Sequence, residues 1–183
     1  MMIKYVLPFV ASAFLISCVS GSGTKSATAL QPSAFARMLA FRDGQLVPVG
    51  QAQIVERSDR LDLLLNLDKG YLPDKGGPYG MHVHAVGRCE APDFATAGPH
   101  WNPMGKQHGH DNPAGAHAGD LANLNLMIGT ADNSVGTIKD MRLAELLDAD
   151  GAALVIHEKA DDYRTDPSGN SGKRIVCGVF ERP

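Results

Sequence analysis

At 183 residues, with 44% hydrophobic and 20% charged content, the chain is long enough for one well-formed core and too short to demand two domains. A formal net charge of −3 carries no basic excess and argues against a nucleic-acid partner. The 20 Gly and 11 Pro suit many turns between short strands.

The N-terminus is a targeting segment. Lys4 supplies a positive flank, and Tyr5 to Ser17 is an apolar run too short to span a bilayer comfortably, so residues 1–17 read as a secretory signal. Leu15-Ile16-Ser17-Cys18 resembles the bacterial lipobox, in which signal removal exposes a cysteine that carries lipid. Val19, in place of an Asp, favours sorting to the outer membrane of a Gram-negative cell. Ala27-Thr28-Ala29 offers the other outcome, a small-residue cleavage site that would release a soluble periplasmic protein. Residues 18–33, small and polar from Gly21 to Pro32, form a flexible tether ahead of one domain at 34–183. Three cysteines leave one odd thiol in an oxidising compartment; a lipid on Cys18 leaves Cys89 and Cys177 as a pair.

Period-two alternation dominates the domain. Leu61, Leu63, Leu65 and Leu67 interleave with Asp62, Leu64, Asn66 and Asp68, and Leu124, Leu126 and Ile128 with Asn123, Asn125 and Met127, as half-buried strands do. Ala131-Asp132-Asn133-Ser134 is a candidate hairpin turn before a strand from Val135 to Leu143, and Leu143 to Leu147 hints at one helical turn. Ala152 to Ile156 is a further apolar run, ended by His157. There is no internal repeat, phosphate loop or coiled-coil heptad, and the expected fold is an all-β sandwich or flattened Greek-key barrel.

All seven histidines lie between His82 and His157. Met81-His82-Val83-His84 reads as a strand end, where residues i and i+2 face one side, so both imidazoles reach one ion. His157 can meet them from a neighbouring strand. Gly98 to Asp120 is too irregular for a helix or strand and holds His100, His108, His110, His117, Asp120 and the sole Trp, Trp101. Loops of that length are functional or disordered, and a metal crosslink would supply the order that this composition lacks. Trp101 either covers the site or, more simply, packs the loop base. A lone His-x-His is common on surfaces and in cores; the clustering is what argues for metal. Imidazole suits copper and zinc.

Gly80-Met81-His82-Val83-His84, Gly98-Pro99-His100-Trp101-Asn102-Pro103, His117-Ala118-Gly119-Asp120-Leu121, His157-Glu158-Lys159-Ala160-Asp161-Asp162 and Gly169-Asn170-Ser171-Gly172-Lys173-Arg174-Ile175-Val176-Cys177-Gly178 together resemble copper/zinc superoxide dismutase, from roughly Ala34 to the C-terminus. The resemblance implies a Greek-key β-sandwich or flattened eight-stranded barrel with long metal-binding and active-site loops. It implies one copper on His82, His84, His100 and His157, and one zinc on His100, His108, His117 and Asp120. His100 would then be a shared imidazolate and proton carrier. Asp161 would hydrogen-bond His82 and His108 from outside both sites, Cys89 and Cys177 would form the intrachain disulfide, and Arg174 would orient the superoxide anion with its fixed fork of donors. The implied reaction is dismutation of superoxide to dioxygen and hydrogen peroxide by a copper redox cycle, protecting against extracytoplasmic superoxide. Steering of the anion would depend on the local field, with Lys75, Lys106, Lys159 and Lys173 as candidate contributors.

Several features depart from the family or stay open. Met81 stands where the family usually has an aromatic, and Ala85 where an acid is frequent; altered packing with intact chemistry is the expectation. His110 matches no ligand position, though its closeness to His108 leaves a swapped zinc register open. The short Asp161–Gly172 segment and Lys106-Gln107-His108-Gly109-His110 look like the bacterial branch, and a homodimer is open. Of two rivals, a metal-buffering lipoprotein would need neither the bridge nor Arg174. A zinc hydrolase using Glu158 would need an open zinc position, which a filled set denies.

Overall fold

A computed structural model describes residues 31–68, 70, 72, 77–125 and 133–183. The signal, Cys18, most of the tether, Lys75 and residues 126–132 lie outside the described residues.

Ser33–Arg42 (β1) alternates small inward residues, with Ala34, Ala36, Met38 and Ala40 buried and Phe35 and Arg37 turned out. It turns into Gln45–Glu56 (β2) through Asp43 and Gly44, both at positive φ (48° and 81°), which a type I′ hairpin requires. Gly50 in β2 lies so close to Asn66 and Leu67 that a Cβ there would overlap backbone. Arg60–Leu67 (β3) buries Leu61, Leu63 and Leu65 as the alternation predicts. Met81–His84 (β4) is buried at all four positions. Asn133–Lys139 (β5) begins inside the expected turn and stops short of Leu143, and Leu143–Leu146 forms the single α-helix (α1) among the described residues. Ala153–His157 (β6) and Arg174–Glu181 (β7) complete the set.

Among the described residues, the seven strands form one antiparallel sheet in the order β4-β6-β7-β1-β2-β3-β5. The connections from β3 to β4, β4 to β5 and β5 to β6 each cross between opposite ends of that order. The expected strand from Leu124 onward is described only to Asn125. There Leu124 bridges Tyr79 and Asp120 bridges His82, along the edge of β4 that β6 leaves free.

Two apolar clusters explain why β6 is buried on both faces, while β4 gives one face to the main core and the other to His82 and His84. Met81, Val83, Leu154 and Ile156 join the main core with β1–β3, and Trp101 packs there too, at the loop base. Ala153 and Val155 point the other way, into a second cluster with Phe94, Ala97 and Cys177. The segment after β4 therefore lies as a cover over β6 and β7, and the Cys89–Cys177 disulfide ties it down with Cα atoms 5.7 Å apart.

Candidate metal centre

Strand geometry delivers the histidines. His82 and His84 leave the same face of β4, opposite Met81 and Val83. His157 ends β6, which pairs with β4, and faces Arg174 across the β6–β7 ladder. The long loop is aligned by backbone bridges that set His100 opposite His84 and Asp120 opposite His82. His82, His84, His100, His108, His157, Asp120 and Asp161 are all buried, and Arg174 is half-buried.

The outer partners determine which nitrogen of each ring faces inward. His82 Nε2–H donates to Asp161 Oδ2 (2.7 Å), His108 Nε2–H to Asp161 Oδ1 (3.1 Å), His84 Nδ1–H to the Gly98 carbonyl (2.8 Å) and His157 Nδ1–H to the Gly172 carbonyl (3.2 Å). Carboxylates and carbonyls only accept, so each opposite nitrogen is left with a lone pair. His82 Nδ1, His84 Nε2, His157 Nε2 and His100 Nε2 are buried without a hydrogen-bond partner. One such orphan costs about 1–3 kcal/mol, and a native interior does not collect four of them without a compensating cation. His82, His84, His100 and His157 bring donor atoms within 4.8 Å of one another, as one ion requires.

A second group meets at Asp120. Its Oδ2 accepts the backbone N–H groups of Gly109 (2.9 Å) and His117 (3.0 Å), leaving Oδ1 aimed at three Nδ1 atoms: His100 at 2.8 Å, His108 at 3.0 Å and His117 at 3.2 Å. Since His108 donates through Nε2, its Nδ1 and Asp120 Oδ1 are two acceptors face to face. A cation relieves that repulsion. Tetrahedral zinc with bonds of about 2.0–2.1 Å would space its donors about 3.3 Å apart, so these residues fit it with little movement. Donor atoms of His82, His100, His108 and Asp120 also lie within 4.8 Å of one another, but the partnerless nitrogen of His82, Nδ1, is counted with the first site, and His117 Nδ1 takes the fourth place here.

Burial, then the neighbouring ring charges, push the His82 and His84 imidazoles far below the ordinary range, and burial lowers His100 as well. His157 is lowered to about 4, chiefly by burial. Burial alone would raise the Asp120 carboxyl, but the hydrogen bonds from His100 and Gly109 hold it well below the usual range. At neutral pH His82, His84, His100 and His157 are thus uncharged rings and Asp120 a carboxylate, ready for cations without proton competition.

A cleft of about 480 Å³ opens onto this centre, bounded by Pro99, Asn102, Pro167, Ser168 and Arg174 besides the histidines His84, His100, His117 and His157. Arg174 is the one permanently charged side chain among them. Its two terminal nitrogens donate to the carbonyls of Phe94 and Gly98, each at 2.7 Å, and it has no ion pair among the described residues. Lys106, Lys159 and Lys173 are exposed and do not line the cleft. His110 is exposed beside Tyr163, its ring centroids 5.9 Å apart. A larger depression of about 750 Å³, between Phe35, Pro48, Gln51 and Arg182, has no histidine or cysteine in its wall.

Several supporting groups carried no sequence signal. The Gly98 carbonyl serves both His84 and Arg174. Asn123, read only as an outward strand residue, clamps the Asp161 backbone by accepting from its N–H (2.7 Å) and donating to its carbonyl (2.9 Å). Gly169 lies so close to Asp161 that a Cβ there would overlap the carboxylate.

The family model described as copper/zinc superoxide dismutase (SODC) matches residues 49–180. A superoxide dismutase-like protein of Bacillus subtilis is 40% identical over 160 residues, covering 82% of this chain and 79% of its own. A copper-zinc superoxide dismutase of Aquifex aeolicus is 39% identical over 139 residues, covering 73% of this chain and 80% of its own. Among solved structures, the Cu/Zn superoxide dismutase from Brucella abortus superposes with a TM-score of 0.58 at 31% identity, covering 81% of this chain and 99% of that one.

Proposed function

The chain belongs to the copper/zinc superoxide dismutase family, and on that footing we propose a role for each residue of the centre. It is an enzyme that converts two superoxide anions and two protons to dioxygen and hydrogen peroxide, with one copper and one zinc per subunit. His82 Nδ1, His84 Nε2, His100 Nε2 and His157 Nε2 are the copper donors; His100 Nδ1, His108 Nδ1, His117 Nδ1 and Asp120 Oδ1 are the zinc donors. The observation that carries this reading is the group of partnerless, buried ring nitrogens at the foot of a cleft whose one charged wall is Arg174.

Bound copper supplies the one-electron couple that dismutation needs. The protein's work is binding, positioning and proton supply. Arg174, held rigid by two carbonyls, orients the anion at the copper face. His100, whose Nδ1 and Nε2 face the two donor groups, would hold at Nε2, whenever that nitrogen is not bound to copper, the proton that peroxide formation consumes. Asp161 fixes a copper-side and a zinc-side ring with one carboxylate. Arg174→Ala removes a charge-assisted contact of about 1.5–3 kcal/mol, so turnover should fall about 10- to 100-fold and lose salt sensitivity, with both metals retained. Wild-type kinetics and salt dependence in that variant would remove Arg174 from the substrate site.

We place the enzyme outside the cytoplasm, in the periplasm, anchored to the outer membrane by lipid on Cys18. The apolar run before Cys18 and the disulfide, which suits an oxidising compartment, support this reading. Cells expressing the chain should incorporate labelled fatty acid into it, and Cys18→Ser should abolish the label. Labelling that survives the substitution would place the lipid elsewhere.

A further inference from the structure

Every ring of the centre has a use for both nitrogens, with one exception. His82 and His108 give the outer one to Asp161, His84 to the Gly98 carbonyl and His157 to the Gly172 carbonyl, while His100 turns both inward. His117 turns Nδ1 toward Asp120 and has no hydrogen bond at Nε2 among the described residues. The carboxylate facing that nitrogen is Asp166, with Oδ1 at 3.9 Å. The same oxygen accepts the His108 backbone N–H at 2.6 Å.

We propose that Asp166 is a positioning residue of the zinc site: its carboxylate pins the His108 backbone and takes the Nε2–H of His117, so one side chain locks two ligands. The proposal rests on the assignment of His117 Nδ1 to zinc. Closing from 3.9 Å to a hydrogen bond takes about 1 Å, a side-chain adjustment open to a carboxylate that is 52% exposed. The backbone beneath it is built for the task. Asp162 gathers the N–H groups of Arg164 and Thr165, the Thr165 hydroxyl and the Asn170 amide into one turn, from which Asp166 reaches across to the long loop. An anionic acceptor on the outer nitrogen raises the basicity of a ligating ring and stops it rotating, and removing such a partner costs about 10- to 100-fold in metal affinity.

The test uses the full chain loaded with zinc and cuprous copper, both diamagnetic. The His117 Nε2–H should appear as a slowly exchanging resonance that Asp166→Ala removes, and chelator competition should show zinc held about 10- to 100-fold more weakly in that variant. Asp166→Asn keeps an acceptor for the His108 N–H without the charge; it should fold as the parent does and still bind zinc more weakly. His117→Ala separates the two levels of inference. Unchanged zinc affinity in His117→Ala would overturn the assignment of His117 and this proposal with it. Weakened zinc in His117→Ala, with parental zinc affinity and a protected Nε2–H in both Asp166 variants, would overturn the proposal alone.

Discussion

Superoxide consumption should be fast in the protein carrying copper and zinc and absent in the protein carrying zinc alone. Dismutation needs a centre that takes an electron from one superoxide and returns it to another. Zinc is d¹⁰ and supplies no such one-electron couple, which leaves the Cys89–Cys177 disulfide to consider. The disulfide is no substitute, since it cycles two electrons at a time. With copper present, turnover should approach about 10⁸–10⁹ M⁻¹s⁻¹, a ceiling known of superoxide dismutases as a class rather than drawn from this geometry. Pulse radiolysis at defined metal loading makes the comparison. Full occupancy without turnover would favour the metal-buffering reading, in which the fold holds both ions for delivery. Ester or peptide hydrolysis by the zinc-only protein would revive the hydrolase.

Opening the disulfide should be the costliest change outside the metal donors. Cys89→Ser and Cys177→Ser both release a loop closed over 88 residues, for which chain entropy predicts a loss of about 4 to 5 kcal/mol. For a domain of this size that corresponds to a fall in melting temperature of roughly 10–20 °C. Function should suffer as well, because the tie restrains the segment that supplies the Phe94 and Gly98 carbonyls to Arg174 and the Gly98 carbonyl to His84. Calorimetry of the metal-free variants reads the first effect, and salt-dependent turnover of the loaded ones the second. A shift under 2 °C would mean that the covering cluster around Phe94 and Val155 holds the segment without the bond.

How much of this was legible depended on the strength of each pattern. The leucine alternation of β3 is dense, and its inward set follows directly. The β1–β2 hairpin leaves only Asp43-Gly44 as a sign of its turn, because alternating alanines give β1 little hydropathy contrast. The boundary between β5 and α1 falls earlier than the apolar pattern predicts, because Val, Ile and Leu continue through both. His-x-His on a strand, the histidine-rich loop and the Cys pair are local signals that survive without a structure. The carbonyls of Gly98 and Gly172, the Asn123 clamp and the reach of Asp166 have none.

By itself the sequence determined which chemistry is present: an all-β chain, a set of imidazoles and carboxylates suited to copper and zinc, a permanent cation and a cysteine pair. Residue type and spacing fix these, since strand periodicity sets the face a side chain takes and donor atoms set the ions it prefers. Only the tertiary structure decided which nitrogen of each ring faces inward. That choice depends on acceptors far along the chain, such as Asp161, 79 residues from His82, and Gly98, 76 residues from Arg174. Such partners meet through sheet order and loop crossing, and a hydrogen bond, being short-ranged and directional, exists only once the fold has brought its two ends together.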